Sequence, residues 1–352
     1  MRYIVHGAGA IGSLVGGLLA DSGAEVIFIA RPAQADILNQ RGLTIHSIYH
    51  PTKHLTNLKA VTSPHEIAPR SDDVLMLAVK SSQTNQCIHE LHEVFSQTTP
   101  LFCLQNGVRN EPTVAERFLH VYGVMIAACV NYLEPGVISH TLKQDLVIGN
   151  YPLGCDETAT KVAQDLSNAG FNAVLSAHVM AAKWGKLVLN LTNALLAITG
   201  HHLQLAWSMP EVSLLMAEVQ EEGLRVIEAA GIPLDGGNSP LDVYAMTQKT
   251  RQVGESAPDK EAIHQAETLP EPQRTYVSTW SDLQQLRGET EASYLNGEII
   301  LLGEKHRIPT PYNFTLLDVV ERMAAQQLLP GRYSISEVRE MIERRQESDG
   351  TE

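Results

Sequence analysis

Tyr3-Ile4-Val5-His6-Gly7-Ala8-Gly9-Ala10-Ile11-Gly12 opens the chain and decides how the rest is read. Tyr3–Val5 is a short β-type run, and Ile11–Ser22 is a helical stretch that ends at Gly23. Glu25–Ile29 reads as the next strand. Strand, G-x-G-x-x-G, helix and second strand together are the context in which this pattern binds a dinucleotide. Gly7 allows the tight turn out of the strand, Gly9 lets the backbone approach a pyrophosphate, and Gly12 lets helix and strand pack closely. The helix start at Ala10 and Ile11 supplies N–H donors and the positive end of the helix dipole.

The same opening superficially resembles a secretory signal, with Arg2 followed by apolar residues to Ala20. His6 and five glycines between Gly7 and Gly17 interrupt it, and Asp21 closes it. Such a helix would be poor for export or for spanning a membrane. The apolar runs Val121–Val130 and Leu187–Ile198 are too short to cross a bilayer, so a soluble, cytoplasmic protein is expected.

Outward from the glycine loop, strand and helix signals alternate. Val74–Val79, Pro100–Leu104 and Tyr122–Val130 are buried-strand runs, with amphipathic stretches such as Cys87–Phe95 between them. Thr158–Ala169 reads as a helix and Asn172–Leu175 as a last strand. The pattern predicts an α/β Rossmann-type domain with a mostly parallel sheet over 1–176. Its strand ends carry polar residues. Arg31 stands where an NAD-binding chain would place an acid, and its guanidinium suits the 2′-phosphate of NADP. Lys80 follows Val74–Val79, and Gln105-Asn106-Gly107 follows Pro100–Leu104, so both face the crevice of the glycine loop.

From about Ala177 the chain turns helical: His178–Ile198, Val212–Ala230, Glu291–Glu304 and Thr315–Gln327 carry helical periodicity. A helical domain is therefore expected over 177–345. The polar, Pro-rich region of about 236–276 reads as an extended insertion or mobile flap, and 346–352 as a disordered tail. Lys186, Asn190 and Asn193, at i, i+4 and i+7, share one stripe if the helix is continuous. A lysine and two amides among apolar neighbours suit a polar cavity, and a desolvated lysine is a proton donor near neutral pH.

The chain has 352 residues, 26 basic and 40 acidic side chains and a net charge of −14, which argues against nucleic-acid and anionic-membrane partners. Gly254–Thr275 alone holds five acids against two bases. Cys87, Cys103, Cys129 and Cys155 form no CxxC pair and read as reduced core residues. His89 and His92 lack metal-ligand spacing, so no metal is expected.

These motifs together resemble the ketopantoate reductase (2-dehydropantoate 2-reductase) family from Met1 to about Gln327, outside the 236–276 region. The carriers are Gly7, Gly9, Gly12, Arg31, Lys80, Asn106-Gly107, Trp184/Lys186/Leu187/Asn190 and Thr290-Glu291/Tyr294/Asn296-Gly297. The resemblance implies a C-terminal all-α domain like that of 6-phosphogluconate dehydrogenase. It also implies NADPH as cofactor and reduction of ketopantoate to pantoate on the pantothenate pathway. Lys186 would be the general acid, and Glu291 would orient it or hold the substrate's distal hydroxyl. Asn106 would lie by the nicotinamide ribose and substrate, Asn190 on substrate oxygens, and Ser278 on the substrate carboxylate. Asn193, from the same stripe as Asn190, is a further substrate-binding candidate that the family pattern does not itself place. It admits a homodimer through the helical domain. Three departures stand on the substrate side: Ala194 holds the position of the family's second asparagine, Arg287–Glu291 is one residue longer, and the large 236–276 insertion precedes the Ser278 region. The alternatives are a reductase of another branched 2-keto acid and a non-catalytic NADPH-sensing protein of the same fold.

Overall fold

A computed structural model describes residues 1–49, 51–142, 145–234 and 241–349. They form two compact units that divide between Trp184 and Gly185, a few residues beyond the boundary at 176 read from composition.

The first unit runs β1 (Arg2–His6), α1 (Ala10–Asp21), β2 (Glu25–Ile29), α2 (Pro32–Gln40), β3 (Leu43–Ser47), β4 (Lys53–Leu55), β5 (Lys59–Val61) and β6 (Asp73–Leu77). It continues with α3 (Thr84–Val94), β7 (Leu101–Cys103), α4 (Asn110–Ala115), β8 (Val121–Ala127), β9 (Val130–Glu134) and β10 (Val137–His140). Then come β11 (Asp145–Asn150), α5 (Glu157–Asn168), β12 (Asn172–Leu175) and the start of α6 (Val179–Asn190). The larger sheet has the order β12-β11-β8-β7-β6-β1-β2-β5 and is parallel except where β11 runs against β8. Alternate residues feed opposite faces: Tyr3, Val5, Phe28, Met76 and Phe102 enter one buried cluster, and Ile4, Ile27, Leu75, Leu77 and Leu101 the other. Burial on both faces is why these strands read as unbroken apolar runs.

Strand order reverses between β1 and β6, so the crevice for a ligand lies outside their carboxyl ends. At the opposite end, Arg2 and Asp73 are register partners joined by two bonds of 2.6 and 2.9 Å. Arg2 is thus a buried structural residue.

A second sheet, β4-β3-β10-β9, was not anticipated. Tyr122–Val130, expected as one strand, is divided: β8 stays in the large sheet and β9 belongs to the small one.

The second unit comprises the end of α6, α7 (Asn193–Thr199), α8 (Leu203–Ser208), α9 (Pro210–Ala229), α10 (Val243–Gly254), α11 (Lys260–Glu267), α12 (Ser278–Gln284), α13 (Asn296–His306), α14 (Pro311–Ala325) and α15 (Ile335–Asp349). In α9, Val212, Leu215, Met216, Val219, Val226 and Ile227 form the buried stripe. Glu222, also buried, reaches the start of α14. It accepts from the amides of Tyr312 (3.0 Å) and Asn313 (2.8 Å), where Thr310 provides no side-chain cap.

Several expectations are corrected. The described part of 236–276 is not an extended flap: α10 packs on α9 and α11 on α8. Asp242 and Asp259 cap these helices, accepting from Ala245 N at 3.0 Å and Ala262 N at 3.1 Å. Residues 236–240 lie outside the described residues. Residues 346–349 are not a disordered tail but the last turn of α15, and 350–352 lie outside the described residues. Cys87 and Cys103 are buried, whereas Cys129 is half-buried and Cys155 is exposed. Among the described residues, no helix is long and apolar enough to cross a membrane, and no His/Cys/Asp/Glu group could hold a metal ion.

Candidate active site

In the first unit, the candidate residues Gly7 to Gly12, Arg31, Lys80 and Asn106 all lie beyond the carboxyl ends of the adjacent strands β1, β2, β6 and β7. Gly7 has φ +107°, and a Cβ there would stand 2.8 Å from the Ala78 carbonyl. A Cβ on Gly12 would stand 1.9 Å from the Gly7 oxygen. The loop and the first turn of α1 are thus in backbone contact, which any side chain would break. Gly9 differs: a Cβ there would meet no atom of the described residues within 4 Å. It is the N-cap of α1 and brings no side-chain cap to the first-turn amides. An open face above uncapped helix amides fits an anionic diphosphate.

Arg31 is exposed and extended (φ −60°, ψ 150°) as the N-cap of α2, and the first acid beyond it is Asp36. Lys80 is half-buried and precedes a short 3₁₀ turn at Ser81–Gln83. Asn106 is half-buried, and its carbonyl accepts from Asn110 Nδ2 at 2.9 Å.

In the second unit, α6 ends at Asn190 and α7 begins at Asn193. The single stripe expected for Lys186, Asn190 and Asn193 is therefore broken: Lys186 and Asn190 share a face of α6, and Asn193 belongs to α7. Lys186 is half-buried, while Asn190 and Asn193 are buried. Ser278, half-buried, opens α12, which packs against α7. The rings of Tyr276 and Trp280, on either side of Ser278 in sequence, stack at 3.8 Å. Glu291 is buried at the head of the 3₁₀ turn Ala292–Tyr294, and its carbonyl accepts from Tyr294 N at 2.9 Å. Asn296, of the same motif, is wholly buried. Its Nδ2 donates to the Leu191 carbonyl at 2.9 Å and to Asn313 Oδ1 at 2.9 Å. The Thr290–Gly297 segment is thereby tied to the break that follows Asn190.

Sequence reasoning missed a buried polar set in the first unit: Ser81, Thr84, Asn110, Glu111 and Lys183. A lone lysine in the apolar run before Trp184 was the available signal. Its partner, 72 residues away, is invisible to local periodicity.

Comparison with known proteins covers nearly the whole chain. Residues 3–152 match the model for ketopantoate reductase PanE/ApbA, and residues 178–324 match that for its C-terminal domain. The 2-dehydropantoate 2-reductase of Pyrococcus horikoshii is 29% identical over 91% of this chain and 97% of its own length. A PanE/ApbA family ketopantoate reductase from Ralstonia eutropha JMP134 is 28% identical, with a TM-score of 0.75 over 93% of this chain and 99% of that one. The fold is shared with a D-mandelate dehydrogenase solved with NADH and anilino(oxo)acetate, at 23% identity and a TM-score of 0.74 over 93% of this chain and 99% of that one. With both halves matched in order, the chain belongs to the ketopantoate reductase family of oxidoreductases.

Proposed function

We propose that this protein reduces ketopantoate to pantoate with NADPH, as a cytoplasmic step towards pantothenate and coenzyme A. The observation that carries the proposal is in the second unit. Lys186 and Asn190 share a face of α6, and Asn296 ties the Thr290–Gly297 segment to Leu191, the next residue.

The loop Gly7–Gly12 fits the diphosphate, with Gly9 open to it and the amides at Ala10 and Ile11 as donors. Arg31 faces the 2′-phosphate, and Lys80 and Asn106 hold the nicotinamide half. When bound, the dinucleotide supplies a hydride to the ketone carbon. Lys186 stabilises the negative charge that develops on the ketone oxygen and then gives up its proton to it. Glu291 orients the ammonium or holds the distal hydroxyl, Asn190 and Asn193 bind substrate oxygens, and Ser278 binds the carboxylate. A homodimer through the helical domain belongs to the same reading.

The test is NADPH oxidation with ketopantoate, by wild type and by Lys186→Met. The variant should bind NADPH and lose ~10²–10⁴ in kcat. Full activity in the variant would remove Lys186 from the mechanism.

A second reading, reduction of a different bulky 2-keto acid, is favoured by Asn193 falling outside the α6 stripe and by the Tyr276–Trp280 stack beside Ser278. An aromatic 2-keto acid turned over faster than ketopantoate would establish it. NADPH binding with no turnover of any 2-keto acid would instead leave a sensor.

A further inference from the structure

The two carbonyls that bracket Asn106 are both held by side chains. The Gln105 oxygen accepts from Lys183 Nζ at 3.1 Å, and the Asn106 oxygen accepts from Asn110 Nδ2 at 2.9 Å. Peptide groups are planar, so the planes on either side of a residue set its φ and ψ and hence the direction of its side chain. The sheet does not do this here, because β7 ends at Cys103 and Leu104 N makes the next bond, to the Leu77 oxygen at 2.9 Å.

Both tethers are themselves fixed. Asn110 Oδ1 accepts from Thr84 Oγ1 at 2.8 Å, and Asn110 Nδ2 also reaches Ser81 Oγ at 3.2 Å. Gln105 Nε2 donates to Thr84 Oγ1 at 2.7 Å. Lys183 pairs with Glu111, and the two side chains are 2% and 0% exposed. Gly123 on β8 lies beside the pair and lets α6 approach closely: a Cβ there would stand 3.1 Å from Val179 Cγ1 of α6, and at ordinary contact, 3.5 Å, from Glu111 Oε1. Two apolar side chains would fill the same space at lower desolvation cost, so packing alone does not account for a buried ion pair.

We infer that Lys183, Glu111 and Asn110 are positioning residues that hold the backbone of Asn106 and so aim its side chain at the carboxyl end of β7. The ligand role of Asn106 rests on the proposed function, but the tethering of its backbone does not.

The test compares wild type with Asn110→Ala, Lys183→Met and the double variant Lys183→Met/Glu111→Leu in the full chain. Lys183→Met leaves a buried unpaired carboxylate. The double variant and Asn110→Ala do not, so they keep the test decisive if the single lysine variant does not fold. Three readouts are taken: amide exchange at residues 105–107, affinity for adenosine 2′,5′-bisphosphate (which lacks the nicotinamide half), and kcat with NADPH and ketopantoate. Exchange in the turn should rise about tenfold or more. Affinity for the bisphosphate should stay at the wild-type value, and kcat should fall ~10²-fold, as for a misplaced contact group. Unchanged exchange at 105–107 overturns the inference. So does an equal loss of bisphosphate affinity and kcat, which would be general loosening. A wild type inactive on ketopantoate would sink the proposed function, while the exchange data would still decide the tether.

Discussion

His6 makes the fold sensitive to acid in a way that can be calculated. It is the last residue of β1 and is 8% exposed, and its Nδ1 is buried without a partner among the described residues. Burial lowers its pKa from 6.5 to about 4, against an opposing pull from Glu90. Above pH 6.5 the ring is neutral in both folded and unfolded chains and contributes nothing to pH dependence. Below that the unfolded chain takes up a proton that the folded one refuses, so stability falls until the folded pKa is reached. The window is therefore pH 6.5 down to about 4. At ~1.36 kcal/mol per unit, the full loss is about 3 kcal/mol, of which about 2 kcal/mol is present at pH 5. Urea unfolding of wild type and His6→Leu at pH 7 and pH 5 isolates this share, since other groups titrate alike in both proteins. The wild type should lose about 2 kcal/mol more than the variant between the two pH values. Equal losses would show that the ring is hydrated or charged in the folded chain, and the reasoning would fail.

Three further outcomes are expected. Gly12→Ala puts a methyl 1.9 Å from the Gly7 oxygen, a backbone atom with no room to yield. It should cost about 1–3 kcal/mol in a denaturant titration and abolish NADPH binding measured by fluorescence. If Arg31 holds the 2′-phosphate as proposed, Arg31→Ala should weaken NADPH by ~10–100-fold through loss of that charge-assisted bond, and leave NADH unchanged in the same binding assay. Asn296→Ala strips a donor from the Leu191 carbonyl and from Asn313 Oδ1. Each stranded acceptor should cost about 1–3 kcal/mol, read as a lowered urea midpoint at unchanged slope.

What the sequence revealed follows from the range of the forces involved. The strands β1, β2, β6 and β7 were legible because burial on both faces writes a continuous apolar run, and the glycine loop because its spacing has a steric meaning. The small sheet was not, because β4 is only three residues long and β3 mixes Thr44, His46 and Ser47 with its apolar residues. The break between α6 and α7 escaped notice because Leu191–Thr192 continues an apolar periodicity, and the bond that stabilises it comes from Asn296. Around 258–272 the prolines suggested an irregular segment, yet Pro258 and Pro270 merely bracket α11. Lys183, Glu111 and Asn110 depend on pairings between distant segments, which no window of sequence contains.

The small sheet has one more consequence. Its strands come from two excursions, one between β2 and β5 and the other between β8 and β11, and each begins and ends on a strand of the large sheet. The β3–β10 pairing therefore clasps two loops of the nucleotide fold to each other without contributing a strand to it. Insertions and deletions in either loop can accumulate over evolution while the register of the large sheet stays untouched. Relatives would then be expected to differ in length there and to agree along β1 and β6.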